Sequence, residues 1–192
     1  MLCHTLHITQ YNTPDMPILK VARLGHPVIR TPAQAVSKET IASQGLQRFI
    51  DDMIGTMREY EGVGLAAPQV HVSWQIAVIE VSDNRRYPGE GPIPLTVLIN
   101  PKILASSKRQ LVDWEGCLSV SELRGKVPRA DLLEVEAYTR KGEKVRFHAH
   151  GFFARVIQHE CDHLAGKVFL DRMPDLSTLS HLHEFMRFWH ET

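Results

Sequence analysis

The stretch Gly151-Phe152-Phe153-Ala154-Arg155-Val156-Ile157-Gln158-His159-Glu160-Cys161-Asp162-His163-Leu164 decides the fold. Its apolar residues, Phe152 or Phe153, Val156 and Leu164, recur at helical spacing on what should be the inner side. Within it lies His159-Glu160-Cys161-Asp162-His163, an HExxH pattern. Residues four apart on a helix project from one face, so both imidazoles can reach one metal ion. Glu160 sits beside them, near enough to take a proton from a water molecule at that ion. The plainer reading is a helix with two surface or core histidines. Two His and a Glu in an otherwise apolar helix are costly without partners, which favours a metal.

Working outward, residues 133, 135 and 137 are apolar between polar neighbours, and so are 145, 147 and 149. Lys141-Gly142 turns the chain between them, which predicts a hairpin with one buried face. Leu46, Phe49, Ile50, Met53, Ile54 and Met57 predict a helix over 40–61, stopped near Gly62 and Gly64. Strands are expected over 74–81, over 95–99 and within 102–114, with a loop over 83–94. A last amphipathic helix is expected over 176–190, its stripe formed by Leu179, Leu182, Met186 and Trp189. The fold class is therefore α+β: antiparallel strands packed around a central HExxH-bearing helix, with one helix N-terminal and another C-terminal. Residues 1–16 read as a polar arm, and 17–192 as one domain.

Composition narrows the function. The chain has 192 residues, close to one domain at roughly 150 residues each. Apolar residues make up 43% and charged residues 23%, as in globular proteins. Lys+Arg 22 balances Asp+Glu 22, so direct nucleic-acid binding is not expected. Three cysteines are an odd, sparse set that fits a reducing, cytoplasmic compartment rather than a disulfide framework. No apolar run approaches the ~18 residues of a membrane span. Residues 1–19 hold no Lys or Arg and are broken by Pro14 and Pro17, so no signal or transit segment is expected. Histidine, at eleven residues, is the anomaly.

A hydrolytic metal site needs a third protein ligand. The pattern HExxHxxGxxH is followed as far as Gly166, but its last position is Phe169, which cannot bind a metal. Glu184, 21 residues past His163, has the spacing of an HExxH endopeptidase. Cys117, in Trp114-Glu115-Gly116-Cys117-Leu118-Ser119, is the other candidate, although a lone Cys is often a small core hydrophobe. A catalytically silent module would need a fourth protein ligand, and no further Cys or His is nominated for it. One more segment bears on the site: Gly62-Val63-Gly64-Leu65-Ala66-Ala67-Pro68-Gln69. Its bare backbone admits close approach by another chain, though a tight helix-to-strand connection would look similar. Gln69 adds an amide donor.

With GVGLAAPQ at 62–69, EGCLS at 115–119 and QHECDH at 158–163 in this order, the chain resembles a peptide deformylase from about Ile18 to Met173. Leu24-Gly25-His26-Pro27 is similar to the family's opening, with His26 where an acidic residue is common. The resemblance implies Cys117, His159 and His163 as ligands of one divalent metal ion, Fe(II) in the cell, with Zn or Ni able to replace it. It implies Glu160 as general base and then acid, and Gln69 with the Leu118 N–H as donors to the oxyanion. The implied reaction releases formate from the N-formylmethionyl end of a nascent peptide. Substrate backbone is expected along Val63, Gly64 and Leu65 and against Gly116, and its methionine side chain near Val156. Arg124 falls where the family has an arginine near the peptide; a solvated loop charge is the plainer account. Glu115 and Arg129 match an ion pair that fixes the cysteine loop. Cys161 should point off the metal face and serve packing. His148, His150, His181, His183 and His190 are read as solvent-facing. The tail from Asp175 carries Asp175, Glu184 and Glu191 against Arg187, which does not suit RNA and speaks against ribosome docking. A monomer or a dimer is compatible with all of this.

Overall fold

Two antiparallel sheets enclose one helix in the computed structural model, which describes residues 17–81 and 91–190. In chain order come α1 (Lys38–Ile41), α2 (Gln44–Glu59), β1 (Gly64–Ala66), β2 (Ile76–Val81), β3 (Ile93–Ser106), β4 (Gln110–Cys117) and β5 (Val120–Ala130). They are followed by β6 (Leu132–Tyr138), β7 (Lys144–His150), α3 (Gly151–Leu164), β8 (Ser180–His181) and α4 (Leu182–Phe188). One sheet has five strands in the order β1-β2-β3-β6-β7, the other three in the order β4-β5-β8.

β2 explains the layering. Ile76 and Val78 join Leu46, Ile50, Met53 and Met57 of α2 in one apolar cluster. Ile79 and Val81 join Ala154, Val156 and Ile157 of α3 in another. Successive strand residues face opposite sides, so a strand buried on both faces reads as an unbroken apolar run. α2 and α3 thus sandwich the five-stranded sheet. On its other side α3 meets the β4–β5 hairpin, where Val120 and Val127 pack with Phe169. The central HExxH helix expected from sequence is there, with the expected 14-residue span.

It ends for a local reason. Gly166 takes φ +72°, and a Cβ there would lie 2.7 Å from the Arg30 carbonyl oxygen. The Lys167 N–H closes onto the Asp162 carbonyl at 2.8 Å, a glycine-terminated helix end. Phe169, the position that departs from HExxHxxGxxH, is fully buried.

The hairpin of β6 and β7 pairs Leu133 with Ala149, Val135 with Phe147 and Ala137 with Val145, matching the expected alternation. Other expectations need correction. The single helix over 40–61 is two, because Ser43 ends one and caps the next, its hydroxyl accepting from the Leu46 N–H at 3.3 Å. The strands expected near 95–99 and within 102–114 are one long strand β3, kinked by register shifts around Pro101, followed by β4. β5, eleven residues, was not read from the sequence. Its inward positions include Gly125 and Arg129, which hide the alternation.

The C-terminal helix is the largest correction. It spans seven residues, not fifteen, and Phe185 is its buried side chain. Met186 and Trp189, expected to face inward, are 50% and 57% exposed. Phe185 packs edge-on against Trp114 at 4.9 Å between ring centroids, and Trp189 lies tilted against the same ring at 5.9 Å. The arm at 1–16 and most of the loop expected over 83–94 lie outside the described residues. Among the described residues no helix is long and apolar enough to cross a membrane.

Candidate active site

α3 delivers His159 and His163, and the end of β4 delivers Cys117. The Cys117 Sγ lies 3.2 Å from His163 Nε2, and the two Nε2 atoms lie 3.2 Å apart. All three donor atoms fall within 4.8 Å of one another, and no other such trio of His, Cys, Asp or Glu occurs among the described residues. Metal–ligand bonds of about 2.0–2.3 Å in a tetrahedral set would separate the donors by about 3.3–3.6 Å. The cluster therefore fits one soft-to-borderline divalent ion. Burial works against a Cys117 thiolate, but the adjacent His163 and His159 outweigh it and hold the thiol well below its ordinary value.

His159 is aimed by its other nitrogen. Its Nδ1 lies 2.9 Å from Glu115 Oε2, which leaves Nε2 for the cluster. Glu115 is itself held by Arg129, whose Nε and Nη2 donate to its two oxygens at 2.9 and 3.0 Å. Burial would raise the Glu115 carboxyl, but the bonds from Arg129 and His159 bring it well below the usual carboxylate range.

Glu160 occupies the opposite situation. It is 3% exposed, and its Oε2 has no hydrogen-bond partner among the described residues. Burial pushes its carboxyl up to about 7. A Cβ on Gly64 would collide with Glu160 Oε1, so the glycine at this position makes room for the carboxylate. Close approach at Gly64 is thus made by a side chain of the protein itself. Leu118 approaches Gly62 in the same way.

Gln69 lies on the short turn after β1. Its Oε1 accepts from the Ala66 N–H at 2.8 Å, which fixes the amide and points Nε2 at the site. That nitrogen is 3.5 Å from Cys117 Sγ and 3.3 Å from Ser119 Oγ. β1 is the outermost strand of its sheet, so its second edge borders the cleft. Val63, Gly64, Gln69, Glu115, Gly116, Cys117, Leu118, Val156, His159 and Glu160 all line that cleft. The Leu65 side chain instead points into the core with α2, leaving only its backbone for a ligand. Arg124 folds over Gly116, where a Cβ would strike its guanidinium, and its Nη1 donates to the Leu123 carbonyl at 2.9 Å. Glu184 is exposed and lies beside His183, away from the histidine pair, so the endopeptidase alternative lacks its third ligand. Cys161 packs against the α3 cluster, and burial pushes its thiol up to about 12.

Sequence reasoning missed two buried charges on α3. Arg155 donates to Glu115 Oε1 at 2.8 Å and to the carbonyls of Val127 and Leu111 at 2.9 and 2.7 Å. Asp162 receives Arg129 Nη1 at 2.6 Å and also pairs with Arg172. The available signal was spacing: positions 155, 159 and 162 share a helix face.

Comparisons with known proteins point to one family. A profile described as polypeptide deformylase matches residues 18–178. The chain is 40% identical over 160 residues to peptide deformylase 2 of Pseudomonas putida, covering 83% of this chain and 90% of that one. It is 43% identical to a peptide deformylase of Halothermothrix orenii over 82% of this chain and 95% of the relative. Among solved structures, a Met-Ala-Ser-bound class I type b peptide deformylase from Acinetobacter baumannii superposes with a TM-score of 0.81. That match has 39% identity and covers 82% of this chain and 99% of the other.

Proposed function

The chain belongs to the peptide deformylase family, metal-dependent hydrolases that remove N-formyl groups, and on that premise we propose how its residues divide the work. The reaction consumes one water and an N-formylmethionyl nascent peptide, and yields formate and a free amino terminus. Cys117, His159 and His163 hold the ion, with iron(II) the ion we infer for the cell and zinc or nickel able to take the same donors. When bound, a divalent ion there polarises the formyl oxygen and lowers the pKa of a water molecule.

Glu160 moves the proton. It takes one from the attacking water and delivers it to the departing amine nitrogen as the C–N bond breaks. A carboxyl raised by burial to about 7 suits both directions of that transfer near neutral pH. Gln69 Nε2 and the Leu118 N–H supply hydrogen bonds to the formyl oxygen as negative charge builds there. Glu115, held by Arg129, fixes the ring of His159.

Substrate backbone adds as a strand along Val63, Gly64 and Leu65, with Gly116 leaving room on the other wall. Val156 lines the pocket for the methionine side chain, and Arg124, beside Gly116, flanks the peptide beyond it. The Met-Ala-Ser ligand of the Acinetobacter baumannii relative has the composition of a deformylated product. Residues 17–192 act as one catalytic domain in the cytoplasm.

The observation that carries this reading is a three-donor cluster with the buried Glu160, its Oε2 without a hydrogen-bond partner among the described residues, in the same cleft. The test is formate release from an N-formyl-Met peptide by anaerobically prepared, iron(II)-loaded protein, with the peptide mass followed in parallel. Formate with an otherwise intact peptide is expected. Internal cleavage without formate would overturn the assignment.

A further inference from the structure

The three donors come from two separate elements. Cys117 rides on the β4–β5 hairpin, His159 and His163 on α3, so the grip of the cluster depends on how helix and hairpin are spaced. Four buried charges cross that boundary in opposite directions. Arg155 of α3 reaches Glu115 of β4 at 2.8 Å, and Arg129 of β5 reaches Asp162 of α3 at 2.6 Å. Glu115 and Arg129 are joined at 2.9 Å, which closes the chain. The side chains of all four are 7% exposed or less.

We propose that Arg155 and Asp162 are positioning residues, which with Glu115 and Arg129 form a charged cross-brace that sets the helix-to-hairpin spacing and so the metal grip. The proposal rests on Cys117, His159 and His163 being the ligands. Positions 155, 159 and 162 lie on one face of α3, so the brace flanks the ligand His159 on both sides along the helix. Each element contributes one cation and one anion, and sliding α3 along the hairpin stretches both pairs together. Arg155 also bonds the carbonyls of Val127 and Leu111, one on each hairpin strand, so it fixes the hairpin as a unit. Glu115 belongs to the brace and holds His159 Nδ1 at 2.9 Å, which passes any shift directly to a ligand ring. Removing one partner of such a set leaves a buried charge uncompensated.

The test compares wild type, Arg155→Met, Arg155→Lys and Asp162→Asn, each loaded with cobalt(II). It reads the rate of metal loss to excess chelator, the visible cobalt absorption and the thermal midpoint of the metal-free form. Arg155→Met and Asp162→Asn are expected to weaken metal retention about 10–100-fold. Their cobalt bands should shift, and kcat should fall while KM for a formyl-Met peptide stays within about 2-fold. Arg155→Lys, which keeps the charge, should recover part of the retention. Wild-type metal loss and an unchanged spectrum, with only a lower thermal midpoint, would overturn the proposal. If Arg155→Met does not fold, Asp162→Asn, which conserves volume, carries the same comparison. Cys117→Ala is the separate control. Its loss of cobalt upholds the ligand assignment whatever the brace variants do, and its retention of cobalt removes that assignment and the brace with it.

Discussion

α3 and α4 both show apolar residues at helical intervals, yet they end in opposite circumstances. α3 keeps its full 14-residue span between two sheets, and it buries Arg155, Glu160, Asp162 and His163 along with Ala154, Val156 and Ile157. α4 is seven residues long and buries Phe185, while Met186, Phe188 and Trp189 face out. Periodicity says that a helix has an apolar side. It does not say how much of that side a neighbour will cover. The polar residues of α3 carry more information than its apolar ones, because a buried polar group must be partnered or used. Among the described residues the buried side-chain atoms without a hydrogen-bond partner are Glu160 Oε2 and His163 Nδ1, both at the candidate active site.

The sharpest way to break this contrast is Glu160→Gln. The substitution keeps the shape beside Gly64 and removes the carboxyl proposed to carry the proton. Turnover of a formyl-Met peptide is expected to fall about 10²–10⁴-fold, with the bound metal retained. Steady-state assays with metal content measured on the same sample decide it. Activity within a few-fold of wild type would make Glu160 a buried filler and α3 an ordinary core helix.

What was legible follows from how local each signal is. The HExxH spacing, the β6–β7 alternation and the bare segment around Gly64 are written in a few consecutive residues, and each leads to an observed element. Cys117 was not legible from spacing, since Glu184 stood equally well. It was nominated by three separated segments resembling one family. Arg155 and Asp162 escaped because their partners Glu115 and Arg129 lie 40 and 33 residues away, and nothing in the helix names them. β5 escaped because Gly125 and Arg129 occupy inward positions, the first against the Met173 thioether and the second between two carboxylates. The overlong C-terminal helix is the reverse error. Met186 and Trp189 have the period of a buried face, yet Met186 is half-exposed and Trp189 lays only part of its ring against Trp114.

Ile157→Ala tests the packing half of the α3 reading. Ile157 is fully buried between the helix and the five-stranded sheet, so truncation leaves a cavity there. A loss of about 2–5 kcal/mol is expected, read by denaturant unfolding of the metal-free protein. A loss well under 1 kcal/mol would mean that the sheet collapses onto the gap, and that α3 is held by its charged contacts rather than by its apolar face.

Phe185→Ala is expected to have the smallest effect. Phe185 has its ring against Trp114, and Met186, Arg187 and Phe188 directly after it are exposed, so water fills the space and little cavity remains. About 1 kcal/mol of stability should be lost, with turnover and metal content near wild type. Trp114 makes the outcome informative, because it immediately precedes Glu115 on β4. If α4 merely covers the hairpin, freeing Trp114 leaves Glu115 where Arg129 and Arg155 hold it. A tenfold loss of metal retention in Phe185→Ala would show instead that α4 presses the hairpin onto α3. In that case the two helices would differ in exposure without differing in their service to the site.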